Sequence, residues 1–348
     1  MERLDEKMLI ILIAVFNPCY SFELGIGTHF SSYPGQPDKY LRLIKSYGFT
    51  SIRDDYTWNK IEDVKDDFNS RGKIAKVDKA INQAASFNIN TLVVLDYGNK
   101  HYNSNYYPNT EESLNAYNRY VEWTVRHLKG KVKYYEIWNE WTIGTGIKKD
   151  GKIPPSVDDY YNLVKLTSAT IRKEDPNAII LAGSINPLSD KPRFIGVSDE
   201  QWITALIKKG MLEYIDGISL HPYSYANSSE SLRTVKGNID AIDSFHDRIK
   251  LISGKEIPFY ITEMGVPTHY GHGGVSLDEQ SDFINEYSRE VMNRKYIKGL
   301  WWYDLINDGG NILNKEDNFG FFYENLSPKP VMQDFKKTSY LSECSYHV

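Results

Sequence analysis

Residues 133–185 contain the three segments that decide the fold: KYYEIWNE (133–140), an amphipathic run over 156–174, and AIILAGSI (178–185). The two outer segments are short and largely apolar, as buried strands are. The run between them repeats apolar residues at helical spacing and stops before Asp175-Pro176. A strand, a helix and a strand in this order predict a βαβ unit with parallel strands.

The same alternation extends to both sides of this unit and occurs eight times in all. The other strand candidates are ELGIGTHF (23–30), TSIRDDY (50–56), NTLVVLDY (90–97), DGISLHPY (216–223), PFYITEMG (258–265) and KGLWWYDL (298–305). The other helix candidates begin at Pro37 and cover 79–88, 113–129, 199–209, 231–249, 277–294 and 329–338. Eight such units favour a single (β/α)8 TIM barrel over 22–348. A doubly wound open sheet is the alternative, but no Gly-rich phosphate turn follows any strand candidate. The loops over 98–112, 141–155 and 306–328 are long, and all three fall on the C-terminal face.

Composition excludes several classes of protein. Hydrophobic residues make up 41% and charged residues 25% of the 348, which is ordinary for a globular chain and excludes disorder. The net charge of −5 offers no basic field for nucleic acid or anionic lipid. Aromatic residues reach 14%, with 26 Tyr, and such side chains suit sugars as well as an aromatic core.

The N-terminal segment 1–21 differs from the rest of the chain. Its apolar run, Met8 to Phe16, is too short to span a bilayer and fits the core of a signal peptide. Cys19 and Ser21 are small residues at the −3 and −1 positions of a cleavage site, although the acidic MERLDEK is a poor start for such a peptide. We therefore expect a secreted or periplasmic protein, with a buried first strand as the alternative.

Metal and cysteine chemistry are not indicated. Cys19 and Cys344 are the only cysteines, so the chain has no zinc-binding spacing. Without cleavage the two could bridge the chain ends; after cleavage Cys344 would be a lone thiol. We expect no metal and no cofactor.

Two strand candidates end in a glutamate. In YYEIWNEW (134–141), Glu140 follows an apolar strand and has a Trp on either side, which predicts a poorly solvated carboxylate with a raised pKa, as a general acid needs. In FYITEMG (259–265), Glu263 ends the seventh strand, across a small barrel from the fourth. Two carboxyls facing each other over a barrel mouth can hydrolyse a glycosidic bond. The alternative is a pair of unrelated structural acids.

Other residues at strand ends complete the predicted site. Arg53 could orient Glu263, or pair only with Asp54 or Asp55. His221 and Tyr223 close the sixth strand, next to the seventh. Trp residues cluster at strand ends, which favours a surface on which sugars stack; they are Trp58, Trp138, Trp141, Trp301 and Trp302.

These motifs resemble clan A glycoside hydrolases, retaining (β/α)8 enzymes whose two catalytic glutamates end strands four and seven. IWNE (137–140) and ITEMG (261–265) match the two signature strands. The segments that look closest to the family 39-like group, which includes bacterial hydrolases of self-made exopolysaccharide, are GFTSIRDDYTW (48–58), WWYDLINDGG (301–310), NFGFF (318–322) and SPKP (327–330).

The resemblance implies a role for each matching position. Glu140 would be the acid/base and Glu263 the nucleophile, and Asn139 would bond the sugar 2-hydroxyl. Arg53 and Tyr223 would support the nucleophile. The remaining two positions, His221 and Trp302, would line the −1 subsite. Whether Asp54 or Asp55 faces the sugar is open.

The sequence thus predicts an exported, retaining endo-glycosidase that cleaves a polysaccharide. A polysaccharide made by the same cell is one candidate substrate. An exo-acting β-glycosidase such as a xylosidase is the first alternative, and a catalytically silent carbohydrate-binding barrel is the second. We expect a monomer with no membrane span and no nucleic-acid partner.

Overall fold

Eight parallel strands close into a barrel in the order in which they occur along the chain, β1-β2-β3-β4-β5-β6-β7-β8. The computed structural model describes residues 22–149, 152–189 and 191–337. The expected signal peptide and both cysteines lie outside these residues. The strands are β1 (Glu23–Gly27), β2 (Ser51–Asp55), β3 (Asn90–Leu95), β4 (Tyr134–Ile137), β5 (Ile179–Ile185), β6 (Gly217–Leu220), β7 (Phe259–Met264) and β8 (Ile297–Trp302). β1 pairs with β8, which closes the barrel and confirms the predicted (β/α)8 fold.

Helices follow the strands and surround the barrel. They are α1 (Pro37–Ser46), α2 (Trp58–Ile61), α3 (Ile74–Ala84), α4 (Glu111–Leu128), α5 (Val157–Glu174), α6 (Asp199–Lys208), α7 (Glu230–Arg233), α8 (Val235–Ser253), α9 (Leu277–Met292) and α10 (Pro330–Lys337). Hydroxyl side chains cap the first turns of four of the long helices with reciprocal capping boxes; the capping residues are Thr110, Ser156, Ser198 and Ser276.

Two helix predictions differ from the structure. The helix predicted over 79–88 is α3, which begins at Ile74, because Ile74 and Val77 continue its buried stripe, and ends at Ala84. The segment predicted as one helix over 231–249 is two helices, since Thr234 interrupts it. The Thr234 side chain accepts a hydrogen bond from the Gly237 N–H and so starts α8.

The barrel interior has an apolar floor below its C-terminal mouth. Side chains from five of the strands form this floor: Leu92, Val94, Tyr134, Leu181, Tyr260 and Trp301. A glycine makes room for the indole, because a Cβ at Gly25 would lie 2.1 Å from Trp301 Cδ1. The polar side chains above this floor therefore rest on a packed base.

Among the described residues, no helix is both long and apolar enough to cross a membrane.

Candidate active site

The two predicted glutamates meet above the barrel floor. Glu140 lies three residues past the end of β4, and Glu263 is the fifth residue of β7. One oxygen of Glu140, one of Glu263 and a ring nitrogen of His221 all lie within 4.8 Å of one another. The carboxylates are largely enclosed, with 22% of the Glu140 side chain and 12% of the Glu263 side chain exposed. Retaining glycosidases hold their two carboxyls about 5–5.5 Å apart and inverting ones about 6.5–9.5 Å, so an oxygen pair within 4.8 Å fits the retaining class.

A strained turn aims the acid at the end of β4. Trp138 and Glu140 both have positive φ, 66° and 47°, in a region that side chains other than glycine rarely adopt. The buried Trp138 ring packs against Tyr107 and Tyr117 and holds the turn in place. Packing in the core therefore sets the direction of the Glu140 side chain.

Arg53 lies at the centre of the site and contacts Glu263, the residue it was expected to orient. Its Nη1 donates to Glu263 Oε1 at 2.6 Å, and its Nη2 donates to Asn139 Oδ1 at 3.0 Å. The Asn139 amide also donates to Tyr97 Oη at 2.8 Å. Tyr223 donates to the other oxygen of Glu263 at 3.1 Å. Glu263 is thus held by a guanidinium and a phenol, each on a different oxygen.

The third donor of Arg53 binds a carboxylate that sequence reasoning missed. Arg53 Nε donates to Glu136 Oε2 at 2.9 Å, deep in the barrel. Ser184 and Thr262 donate to the other oxygen of Glu136 at 2.9 and 2.8 Å. Although burial opposes ionisation, Arg53 and then His221 hold the Glu136 pKa below its usual range. The available signal was a charged residue inside the buried strand YYEI, since such a charge must be paired.

Both ring nitrogens of His221 have acceptors within reach, which favours its protonated form. Its Nε2 lies 3.1 Å from Thr262 Oγ1, which already donates to Glu136 and therefore accepts from the ring. Its Nδ1 lies 3.2 Å from Glu140 and 3.7 Å from Glu263. Burial would lower the pKa of His221, but the charge of Glu263 and the hydrogen bond of Glu140 raise it. The imidazolium therefore bridges the two carboxylates.

The expected rise in the pKa of Glu140 is wrong. Burial raises this pKa, as predicted, but the hydrogen bond and charge of His221 and the hydrogen bond of Thr145 outweigh it, so the pKa of Glu140 is lowered. The neighbouring Trp138 and Trp141 rings are buried in the core, and they are not among the causes of this shift. The sequence does not show which charges face a side chain, and these charges decide the direction of the shift.

A glycoside hydrolase family model matches residues 20–307, which is most of the chain, and its description is cellulase, glycosyl hydrolase family 5. The chain belongs to this family. It is a clan A glycoside hydrolase, and the retaining mechanism is general to that clan. The resemblance to clan A is thereby confirmed, while the matching family model is that of family 5. No curated protein sequence shows significant similarity to the chain.

Solved structures share the fold. A family 39 glycoside hydrolase from Bacteroides cellulosilyticus WH2 has a TM-score of 0.72 at 22% identity; the match covers 92% of this chain and 63% of that one. Xylanase 10B from Thermotoga maritima has a TM-score of 0.64 at 16% identity, covering 91% and 95%. A family 5, subfamily 18 protein from Bifidobacterium longum, solved with Manβ1-4GlcNAc, has a TM-score of 0.69 at 14% identity, covering 91% and 77%. At these identities the likeness concerns the fold.

The tryptophans of this glycoside hydrolase do not form the predicted stacking surface. All five are at most 1% exposed: Trp58, Trp138, Trp141, Trp301 and Trp302. Trp58 stacks on Tyr102 at 5.2 Å between centroids and donates to Glu62, which corrects its assignment as a sugar-binding residue. Large apolar rings near strand ends are here core residues that anchor the loops.

Trp302 also has a different position from the one implied. Its Nε1 donates to Ser288 Oγ at 3.2 Å, and its ring lies 5.6 Å from Tyr287 on α9, so it points outward to the helices. Side chains alternate along a strand, and Trp301 therefore takes the inward position, on the barrel floor. The next residue, Tyr303, is half-buried at the mouth, with Phe319 at 5.4 Å between ring centroids. Tyr303 thus occupies the place that Trp302 was expected to fill.

The same alternation answers the question about Asp54 and Asp55. Asp54 accepts from Thr28 Oγ1 and from the Phe30 N–H, both at 2.9 Å, so it faces the loop after β1. Asp55 is half-buried, and its charge acts on Arg53. Asp55 therefore lies on the side of the strand that faces the site.

Proposed function

We propose that this family 5 protein is an exported, retaining endo-glycosidase of a polysaccharide, with Glu140 as acid/base and Glu263 as nucleophile. The observation that carries the proposal is the convergence of the two carboxylates within 4.8 Å around His221. A silent barrel needs no such pair, and the four hydrogen bonds that orient Glu263 and Asn139 would have no use in one.

The contacts of each glutamate support its role in a double displacement. Arg53 and Tyr223 orient Glu263, whose carboxylate attacks the anomeric carbon and forms a glycosyl ester as the glycosidic C–O bond breaks. Glu140 transfers a proton to the departing oxygen. It then removes a proton from the water that hydrolyses the ester, which restores both residues.

The pairing of Glu140 with His221 supplies the proton for the first step. In the free enzyme the proton resides on His221 Nδ1, 3.2 Å from Glu140 Oε1. Binding of a sugar excludes water and brings the glycosidic oxygen to Glu140, which favours transfer of this proton along the hydrogen bond. Asn139 has one amide hydrogen left for the sugar 2-hydroxyl, since Tyr97 takes the other.

Two observations support a polymeric substrate. The family is described as cellulase, and one solved relative is a xylanase, a name that refers to a polysaccharide substrate. Half-buried tyrosines, Tyr97 and Tyr303, follow β3 and β8, and the charge of Glu263 acts on both of them. Such rings offer apolar faces on which sugars can stack. The apolar run Met8–Phe16 supports export.

The test is product analysis with the purified protein on a panel of bacterial and plant polysaccharides. We expect oligosaccharides of mixed length early in the reaction, a kcat/KM that rises steeply with chain length, and retained anomeric configuration by NMR. The matched control is Glu263→Gln, which should be inactive on the same polymer. Release of single sugars only, at a rate independent of chain length, would establish the exo-acting alternative. Inverted products would refute the assigned mechanism.

A further inference from the structure

A second cluster of possible ligands lies at the seam where the barrel closes. His29 follows β1, and Asp304 and Asp308 follow β8, the strand that pairs with β1. His29 Nδ1 is 2.8 Å from Asp308 Oδ1 and 3.7 Å from Asp304 Oδ2. All three atoms lie within 4.8 Å of one another. None of them takes part in the double displacement.

Two buried oxygens in this cluster have no hydrogen-bond partner among the described residues. The Asp304 side chain is 1% exposed, and its Oδ2, which points towards His29, receives no hydrogen bond. The Tyr33 hydroxyl is also buried without a partner, and its ring lies 6.5 Å from that of His29. Buried polar atoms are nearly always satisfied, so this pair requires an explanation.

The geometry favours a single ion over a sugar hydroxyl as that explanation. A point equidistant from the three ligand atoms lies no more than about 2.4 Å from each, which is within the range of metal–ligand bonds. The Asp304 side chain is only 1% exposed, against 33% for Asp308, so a sugar in the cleft has little access to Asp304 Oδ2. An ion between the three residues would contact all of them. One imidazole nitrogen and two carboxylate oxygens form a donor set that suits Zn²⁺.

We propose that His29, Asp304 and Asp308 bind one Zn²⁺ ion at the β1–β8 seam. With His29 29% and Asp308 33% exposed, one side of the ion is open to water. The ion would tie the loop after β1 to the long loop after β8. Since Tyr303 Oη donates to Asp308 Oδ2 at 3.4 Å, it would also steady the Tyr303 ring beside the catalytic cleft.

The test is Zn²⁺ titration of the chelator-treated full protein by calorimetry, with metal content measured after dialysis. We expect one Zn²⁺ per chain and a rise of several degrees in Tm at saturating Zn²⁺. Asp308→Asn and His29→Gln should each weaken binding at least about ten-fold. Because Asp308 is partly exposed, its Asn variant should fold, and its metal-free Tm checks this.

Two controls separate this site from other ligands. Glu263→Gln alters the catalytic cluster and should still bind one Zn²⁺, and so should His127→Gln, which removes a His–Asp pair with a 2.6 Å contact between α3 and α4. Binding that survives in Asp308→Asn and His29→Gln, or is lost in either control, would overturn the proposal. So would the absence of stoichiometric binding in the parent protein, whether or not it cleaves polysaccharide.

Discussion

The charge of His221 controls when Glu140 can act as an acid, and His221→Asn tests this. An asparagine amide can take the place of Nδ1 and still donate to Glu140, but it carries no charge. Glu140 would remain buried, while the positive charge 3.2 Å from its oxygen would be gone. The opposing effect of burial would then dominate, and the pKa of Glu140 should rise.

The size of this effect follows from the contact. A hydrogen bond to a charged partner contributes about 1.5–3 kcal/mol, against about 0.5–1.5 kcal/mol for a neutral one. The difference of about 1–2 kcal/mol corresponds to a rise of about one pKa unit. In the parent the proton for the first step is held by His221, whose pKa is raised, so the alkaline limb of the kcat/KM–pH profile follows His221. In His221→Asn the limb follows Glu140 alone and should move to lower pH.

The assay is kcat/KM against pH on a substrate with a poor leaving group, for which protonation is needed. His127→Asn is the matched control, because His127 pairs with Asp78 away from the barrel mouth and should leave the profile unchanged. An alkaline limb that stays in place in a folded His221→Asn protein would refute the assigned electrostatics.

Stability gives a second measurement of the same pair. The pKa of Glu140 is lowered and that of His221 is raised in the folded protein. Glu140 therefore contributes stability above its unfolded pKa, which is lost as pH falls through its folded pKa. His221 contributes stability below its unfolded pKa, which is lost as pH rises through its folded pKa. The deficit in Tm of His221→Asn should be largest between these limits and shrink at alkaline pH.

Other variants test separate parts of the structure. Burial raises the pKa of Asp54 to about 7, so the folded protein loses stability as pH rises from about 4 to 7. Asparagine does not ionise, so the Tm of Asp54→Asn should exceed that of the parent at pH 8 by more than at pH 5. Glu140→Gln should still release dinitrophenol from an activated glycoside in a single burst, whereas Glu263→Gln should release none; equal losses in both would contradict their roles. Trp141→Ala should cost about 3–5 kcal/mol in urea unfolding, because its buried ring packs on Tyr107, and a stable variant with weaker polymer binding would contradict a core role.

The sequence determined the barrel because strand and helix periodicity are local properties. Each apolar strand and amphipathic helix is visible in its own segment, and eight such units leave few ways to bury all the apolar faces. The same logic predicted Glu140, Glu263 and Arg53, because parallel strands place their C-terminal ends on one face. Adjacent residues of a strand point to opposite faces, so either Trp301 or Trp302 had to point outward, and the sequence spacing alone could not decide which.

Only the tertiary structure decided the electrostatics and the lining of the site. The pKa of Glu140 depends on His221, which is 81 positions away in the chain. Glu136 is ionised although it is buried, because the Arg53 guanidinium donates a hydrogen bond to it. Tryptophans near strand ends proved to be core residues, and Tyr303 took the place at the mouth, since side-chain direction follows from strand register and loop packing. Periodicity is set by neighbours in sequence, whereas charge and exposure are set by neighbours in space.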